Sequence, residues 1–333
     1  MADVGIEDYL ATLPGRAAHR PVAAREPVSA AAIHQWCDAM GECNPRFTCA
    51  NPIAPPATLQ MWTFPGQLPG RPLDAGPSGP DDLATEVRAR LAERGCSATL
   101  ATATDQEFIA DIRPGVTLSA EDNYLAVSPL KRTALGAGYF VSSRATYRDD
   151  GGALLGQVTL TVFHFQPRPA DRLGPPHQPL PVRSGEAVAQ RAVLGGGEPL
   201  PGLAIPVTPT LIVAGALATR DFYPVHHDRD FARAHGNVDL VMNVLTTNGL
   251  LARVVGEWSG HRRLTRLVTR LRGPAYPHTR LVLSGTVEHS DGDGTRLRIW
   301  ARTDDGPHAE AVAYLDSSGS APDTSRSSGV GCC

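Results

Sequence analysis

One stretch of the sequence, residues 240–255, restricts the fold more than any other. Its apolar residues recur at helical spacing and nearly encircle the predicted helix, which Asp239 would cap and Gly256 would end. A helix that is apolar on nearly all sides must be enclosed by other elements. Strand-like stretches follow it at residues 264–272, 279–288, 295–303 and 308–314. The pattern predicts a central helix wrapped by an antiparallel sheet.

The first half of the chain repeats this order of helices followed by strands. Ser29 can cap a helix at residues 30–40 that ends at Gly41, and Asp81 can cap a second one that runs to Gly95. Strand-like stretches follow at residues 97–109, 116–127, 138–148 and 153–165. Helices followed by a run of antiparallel strands predict an α+β fold in each half.

Segments rich in proline and glycine suggest where the domains meet. They lie at residues 68–80, at 166–206 and in the tail after 316. We therefore predict five parts, namely an N-terminal extension (1–24), a first domain (25–166), a linker (167–206), a second domain (207–316) and a disordered tail (317–333).

Composition excludes several classes of protein. The 333 residues, 42% of them apolar, can bury one large core or two smaller ones. The net charge is -3 and no block of basic residues stands out, so no nucleic-acid partner is expected. The longest apolar run, residues 211–218, is far shorter than the roughly 20 residues of a membrane span. No CxxC pair occurs, so no metal site is expected. These features predict a soluble, cytoplasmic protein.

The densest cluster of reactive side chains lies at residues 218–236. Asp221 and His226 are five residues apart with Pro224 between them, so they cannot share a continuous helix. A turn stiffened by proline can instead direct both side chains at one point. A carboxylate beside an imidazole can activate water near neutral pH. The alternative is a surface turn with a capping Asp and a solvated His.

This cluster resembles a motif of MaoC-like (hydratase-2 type) enoyl-CoA hydratases, G-D-x-N-P-hydrophobic-H. Asp221, Pro224, Val225 and His226 stand in the matching places, and TRDFYPVHHD with the later LLARVVGEWSG is similar to the catalytic subunit of bacterial steroid side-chain enoyl-CoA hydratases. Two positions depart from the family. Tyr223 replaces its Asn, and Thr219-Arg220 replaces its Ser-Gly. One amide hydrogen bond to substrate or water is therefore unaccounted for.

The first half carries an altered copy of the same motif. Glu42 stands where the motif has Asp, and Phe47 stands where it has His, so this copy is expected to be inactive. The following APPATLQMWT resembles the non-catalytic MaoC partner subunit of the same steroid hydratases, so the chain resembles both subunits fused. The resemblance implies a double hotdog fold, an acyl thioester substrate (on CoA or an acyl-carrier protein), and no metal or redox cofactor. We also expect a homodimer.

The leading hypothesis is an enoyl-thioester hydratase, or 3-hydroxyacyl-thioester dehydratase in reverse. Asp221 and His226 would be the catalytic pair that holds the water added to the substrate. Backbone N–H groups near Leu240 and Val241, at the predicted helix start, would stabilise the thioester oxygen. Tyr223 is also predicted to bind substrate. Asn243 would face the acyl pocket, or bond back to the helix backbone as small polar groups on helices do.

Two other functions on the same fold stay open. One is a non-catalytic hotdog scaffold that binds a thioester or a partner. The other is a thioesterase, but hotdog thioesterases usually carry an acidic residue on the central helix, and residues 240–255 contain none.

The acyl group is expected to be bulky. The central helix of the first half would start near Pro56 and stop before Pro65, after about two turns. The missing turns would leave space beside the active site, unless residues 67–80 fold back and fill it.

Overall fold

The computed structural model describes residues 5–64, 82–133, 135–167, 174–178, 197–292 and 294–317. This part of the chain is an α+β protein. Its helices are α1 (Ile6–Ala11), α2 (Ala30–Met40), α3 (Pro45–Thr48), α4 (Leu83–Glu93), α5 (Pro209–Ala218), α6 (Arg229–Ala234) and α7 (Val244–Ser259). Its strands are β1 (Val22–Ala23), β2 (Ala98–Phe108), β3 (Ser119–Val127), β4 (Lys131–Arg132), β5 (Ala137–Arg148), β6 (Leu154–Phe165), β7 (Pro199–Val207), β8 (Leu264–Leu271), β9 (Thr279–Asp291), β10 (Gly294–Thr303) and β11 (Gly306–Leu315).

A single antiparallel sheet runs through both halves of the described chain. Its strand order is β1-β3-β5-β6-β2-β8-β11-β10-β9-β7, with β4 paired to β5 at the side. The two halves join where β2 pairs with β8, and Arg266 of β8 donates to Asp105 of β2 at 2.6 Å across this junction. Each half thus contributes strands to one surface, and the elements that carry the site pack on it.

The central helix of the second half, α7, begins at Val244 and ends at Ser259, so the predicted bounds of 240–255 were wrong. Its N-cap is Asn243, whose side chain accepts from the N–H of Thr246, and Gly260 ends it in a left-handed conformation. The preceding backbone is bound elsewhere, because Val241 donates to Val225 and Met242 donates to Ala275. Residues 240–242 are buried by these tertiary contacts, which made them look like part of the helix.

Helices as well as the sheet enclose α7. A β-carbon at Gly249 would lie 2.8 Å from the Sδ of Met40 in α2, and one at Gly215 in α5 would lie 2.2 Å from Thr246. Both glycines therefore allow a neighbouring helix to approach closely. Trp258 of α7 is fully buried in a hydrophobic core that also contains Trp36 from the first half. The two halves share one core.

Within the described residues, the equivalent element of the first half consists of two short 3-10 turns, where the sequence predicted about two turns of helix. They span Pro56–Thr58 and Met61–Thr63. The next helix, α4, starts at Leu83 with Asp82 in the N-cap position, one residue later than the predicted cap Asp81. Asp82 makes no capping hydrogen bond with its side chain, and it accepts from the backbone of Arg20 instead.

Two predicted boundaries also need correction. Residues assigned to the linker form β7, which pairs with β9, so the second half begins at Pro199. The predicted N-terminal extension belongs to the first half, because Leu10 and Leu13 are buried against α4 and β1 pairs with β3. The tail beyond residue 317 and the loop at 67–80 lie outside the described residues. None of the described helices has the length and apolar character that crossing a membrane requires.

Candidate active site

The turn between α5 and α6 brings Asp221 and His226 together. After α5 ends at Ala218, the N–H of Asp221 bonds back to Ala216, and Pro224–His226 then form one 3-10 turn. The Nε2 of His226 lies 3.4 Å from the Oδ2 of Asp221. The His226 side chain is 9% exposed and that of Asp221 is 23% exposed. The pair predicted from the sequence is therefore close together and largely shielded from solvent.

Both side chains of the pair are held by neighbouring groups. The Nδ1 of His226 donates to the carbonyl of Val241 at 2.6 Å, since a carbonyl can only accept. The amide of Asn243 donates to Asp221 at 3.0 Å and to the hydroxyl of Thr219 at 2.9 Å. These bonds direct the Nε2 of His226 at the carboxylate.

The pair shifts the pKa values of its two members in opposite directions. Burial acts to lower the pKa of His226, but the Asp221 carboxylate and the Val241 carbonyl raise it above its usual value. Burial acts to raise the pKa of Asp221, but His226 and the Asn243 amide hold it below its usual value. The site therefore favours a protonated imidazole beside an ionised carboxylate.

The residue before Asp221 is strained. Arg220 has a φ of 57°, in the left-handed region that favours glycine, and the matching residue of the first-half copy is Gly41, with a φ of 64°. The family motif also has glycine there. The turn thus requires a left-handed residue whichever half carries it.

We expect Arg220→Gly to raise the free energy of unfolding by about 1 kcal/mol, because glycine relieves the left-handed strain at a smaller entropic cost. Urea unfolding would measure this change. The control Arg90→Gly, inside α4, should instead lower stability, since glycine is unfavourable within a helix. Equal destabilisation by both changes would contradict the assigned strain.

The other predicted site residues have different roles. Tyr223 lies against His226, with the rings edge to face and their centroids 6.2 Å apart. Asn243 is both the cap of α7 and a hydrogen-bond donor to Asp221, a role that sequence analysis missed. Leu240 and Val241 precede the helix, and their N–H groups already donate to Asp239 and Val225. Placing thioester donors at those two N–H groups was therefore wrong.

The altered copy in the first half keeps the backbone of the turn. The N–H of Asn44 donates to the Glu42 carboxylate at 2.9 Å, as the N–H of Tyr223 does to Asp221 at 3.4 Å. Glu42 is buried, which raises its pKa despite the Asn44 hydrogen bond. Phe47 is buried where the second half has His226, so no acid-base partner stands at that place.

A cavity of about 280 Å³ lies beside the shortened central element of the first half. Strands β3, β5 and β6 line it, together with Gln60, which precedes the second 3-10 turn, Thr63 in that turn, and Ala84 and Val87 of α4. Small-molecule sites have volumes of about 300–1,000 Å³, so this cavity is near the lower end of that range.

Sequence comparison relates the chain to two kinds of hydratase subunit. No family model matches the sequence. The beta subunit of a 3-oxo-4,17-pregnadiene-20-carboxyl-CoA hydratase from Mycobacterium tuberculosis is 39% identical over 120 residues, which cover 36% of this chain and 93% of the relative. The chain belongs to the MaoC-like enoyl-CoA hydratase family. Its α+β architecture agrees with the double hotdog fold that the resemblance implied.

The MaoC-like chain also matches alpha subunits. A "Probable enoyl-CoA hydratase alpha subunit" from Thermomonospora curvata is 29% identical over 178 residues, covering 50% of this chain and 54% of that protein. The chain thus spans about half the length of this relative. Because one polypeptide is similar to both subunit types, it is a fused MaoC-type protein.

Solved structures agree on the fold of this MaoC-like chain. A MaoC-like dehydratase superposes with a TM-score of 0.66 at 16% identity, covering 93% of this chain and 100% of that one. A Mycobacterium tuberculosis protein described as a double hotdog fold gives a TM-score of 0.56 at 14% identity, with 91% and 96% covered.

Proposed function

We propose that the protein is an enoyl-CoA hydratase, or 3-hydroxyacyl-CoA dehydratase in reverse, in which Asp221 and His226 act on water. The observation that supports this best is their 3.4 Å contact in a shielded site, with the carboxylate and imidazole pKa values shifted apart. The names of the relatives support the thioester class.

The proposed reaction balances with the two side chains alone. The Asp221 carboxylate takes a proton from water as the hydroxide oxygen bonds to C3 of the enoyl group. The C2–C3 double bond opens, and C2 takes a proton from the imidazolium of His226. Proton transfer from Asp221 to His226 then restores the starting state of the pair.

In this proposal negative charge develops on the thioester oxygen during the reaction, and hydrogen-bond donors must stabilise it. The N–H groups of Val244 and Leu245, in the first turn of α7, have no acceptor among the described residues. They follow the cap residue Asn243, which itself binds Asp221. We assign the oxygen to these two groups, at the positive end of the helix dipole.

The acyl group is proposed to be bulky. Up to residue 64, where the described part of this segment stops, the first half has two 3-10 turns in place of a central helix, and the cavity of about 280 Å³ lies beside them. The relative from Mycobacterium tuberculosis is named for a pregnadiene-carboxyl-CoA, a ring-bearing thioester.

A panel of enoyl-CoA esters from crotonyl to ring-bearing ones tests both parts of the proposal. We expect kcat/KM, followed as loss of the enoyl thioester absorbance, to rise with the size of the acyl group, since remote binding energy then reaches the transition state. Best activity on the four-carbon ester, with bulky esters rejected, would contradict the bulky acyl group. Tight binding of every ester without turnover would favour the scaffold function instead.

The shifted pKa values predict the pH dependence of the reaction. The active state needs ionised Asp221, whose pKa is held below its usual value of about 3.9, and protonated His226, whose pKa is raised above about 6.5. kcat/KM should therefore fall on the alkaline side only as the pH rises past the raised pKa of His226.

In Asp221→Asn the carboxylate is gone, so an NMR titration should show the His226 pKa at a lower pH. An unchanged His226 titration would contradict the coupling.

A further inference from the structure

A buried histidine, His308, lies behind the first turn of α7 and has no role in the proposed reaction steps. It is only 1% exposed and stands near the start of β11. Its Nδ1 donates to the carbonyl of Gly273 at 2.8 Å, because a carbonyl can only accept. Its Nε2 lies 3.0 Å from the hydroxyl of Thr247 in α7. The imidazole therefore joins the loop after β8 to the central helix.

The protonation of the ring determines which of these groups donate. Burial lowers the pKa of His308 below its usual value, although the Gly273 carbonyl acts to raise it, so the ring is neutral at physiological pH. Because its proton is on Nδ1, the Nε2 can only accept, and the Thr247 hydroxyl donates to it. The same hydroxyl lies 3.2 Å from the carbonyl of Asn243. His308 thus holds Thr247 in place beside the cap residue of α7.

One path from His308 to the proposed catalytic pair runs through α7. The N–H of Thr247 donates to the carbonyl of Asn243 at 3.1 Å. The side-chain amide of Asn243 in turn donates to Asp221 at 3.0 Å. A shift of Thr247 would therefore move the group that holds the Asp221 carboxylate.

A second path runs through the loop that accepts the Nδ1 proton of His308. Two residues further along this loop, the carbonyl of Ala275 accepts from the N–H of Met242 at 3.0 Å. The residue before Met242 is Val241, whose carbonyl accepts from His226 at 2.6 Å. The two paths therefore end on neighbouring residues, and each path reaches one member of the pair.

We propose that His308 is a positioning residue that fixes the backbone of residues 241–243, and that this backbone holds Asp221 and His226 in place. The inference rests on the proposed function for the identity of the catalytic pair. Both nitrogens of the His308 ring are already hydrogen-bonded, so it acts through its neighbours rather than on the substrate. Misplacement of a reacting group by about 1 Å can cost about 100-fold in rate. Loss of these contacts should therefore affect kcat more than KM.

Two variants remove the contact between His308 and Thr247 from its two sides. His308→Asn places an amide N–H near the position of Nδ1, so it can keep the Gly273 bond but is too short to reach Thr247. Thr247→Val keeps the shape of the side chain and removes the hydroxyl. We expect each to lower kcat for an enoyl-CoA ester by about tenfold to a hundredfold, with KM nearly unchanged. Thr247→Ser keeps the hydroxyl and should retain most of the wild-type rate.

Thr269→Val is the matched control for Thr247→Val. Thr269 is fully buried on β8, and its hydroxyl has no hydrogen-bond partner among the described residues. The change therefore removes a buried hydroxyl without breaking a hydrogen bond, and kcat should stay near the wild-type value. Equal losses of kcat in the two variants would overturn the inference, because the bond to His308 would then not be the cause.

An NMR titration of His226 separates this inference from the proposed function, since it needs no turnover. Burial acts to lower the pKa of His226, while the Asp221 carboxylate and the Val241 carbonyl raise it. Both His308→Asn and Thr247→Val should therefore lower this pKa, and either one decides if the other does not fold. A lowered pKa supports the inference even if no ester is hydrated. An unchanged titration in a folded variant overturns it and leaves the hydratase proposal intact.

Discussion

Asp221→Asn and His226→Ala should each lower kcat/KM for an enoyl-CoA ester by about 100-fold or more, because each removes one acid-base group of the proposed reaction. The double variant should lose little beyond the single ones, since the two side chains act as a unit. Steady-state kinetics would measure these losses, and circular dichroism would show that the fold is kept.

Glu42→Gln is the matched control for this prediction. Glu42 occupies the same place in the first-half turn and accepts the equivalent backbone hydrogen bond, but Phe47 stands where a histidine would be needed. We expect it to keep most of the wild-type activity. If Glu42→Gln proved as damaging as Asp221→Asn, the assignment of catalysis to the second half alone would be wrong.

Trp258→Ala should lower the free energy of unfolding by about 3–5 kcal/mol, because it opens a large cavity in the shared core. Trp258 is fully buried on α7, and its indole N–H donates to the carbonyl of Pro201 in β7. Urea unfolding would measure the loss. Trp300→Ala provides the comparison, since Trp300 is only partly buried on β10 and its loss should cost much less. Equal losses would contradict the assigned core.

Local signals determine the segment around the proposed catalytic pair, where Pro224 predicted a turn. Thr208 and Asp228 cap α5 and α6 with their side chains, and Pro224 begins the turn, so neighbours in sequence determine this segment. Tertiary contacts determine the start of α7. The apolar residues at 240–242 match a helical pattern, yet the N–H groups of Val241 and Met242 bind the distant carbonyls of Val225 and Ala275. No periodicity distinguishes such burial from a helix.

The polar residues that line the first-half cavity gave no sequence signal. His19, Gln60 and Asp122 are separated by 40 residues or more, and only the packing of the N-terminal segment and the 3-10 turns against β3 brings them together. The role of Asn243 was missed for a related reason. Its amide reaches Asp221 across 22 positions, and it serves as a cap only because α7 starts later than its apolar pattern indicates.

The pairing of β2 with β8 also affects the solubility that the half with Asp221 would have if it were produced without the other half. In a shortened chain without the first half, β8 would lose its neighbour and become an open sheet edge. Gly249 of α7 would at the same time lose its cover by α2. An unpaired edge beside newly exposed apolar surface promotes aggregation. The half without the proposed catalytic pair would therefore keep the other half from aggregating, whatever its own chemistry.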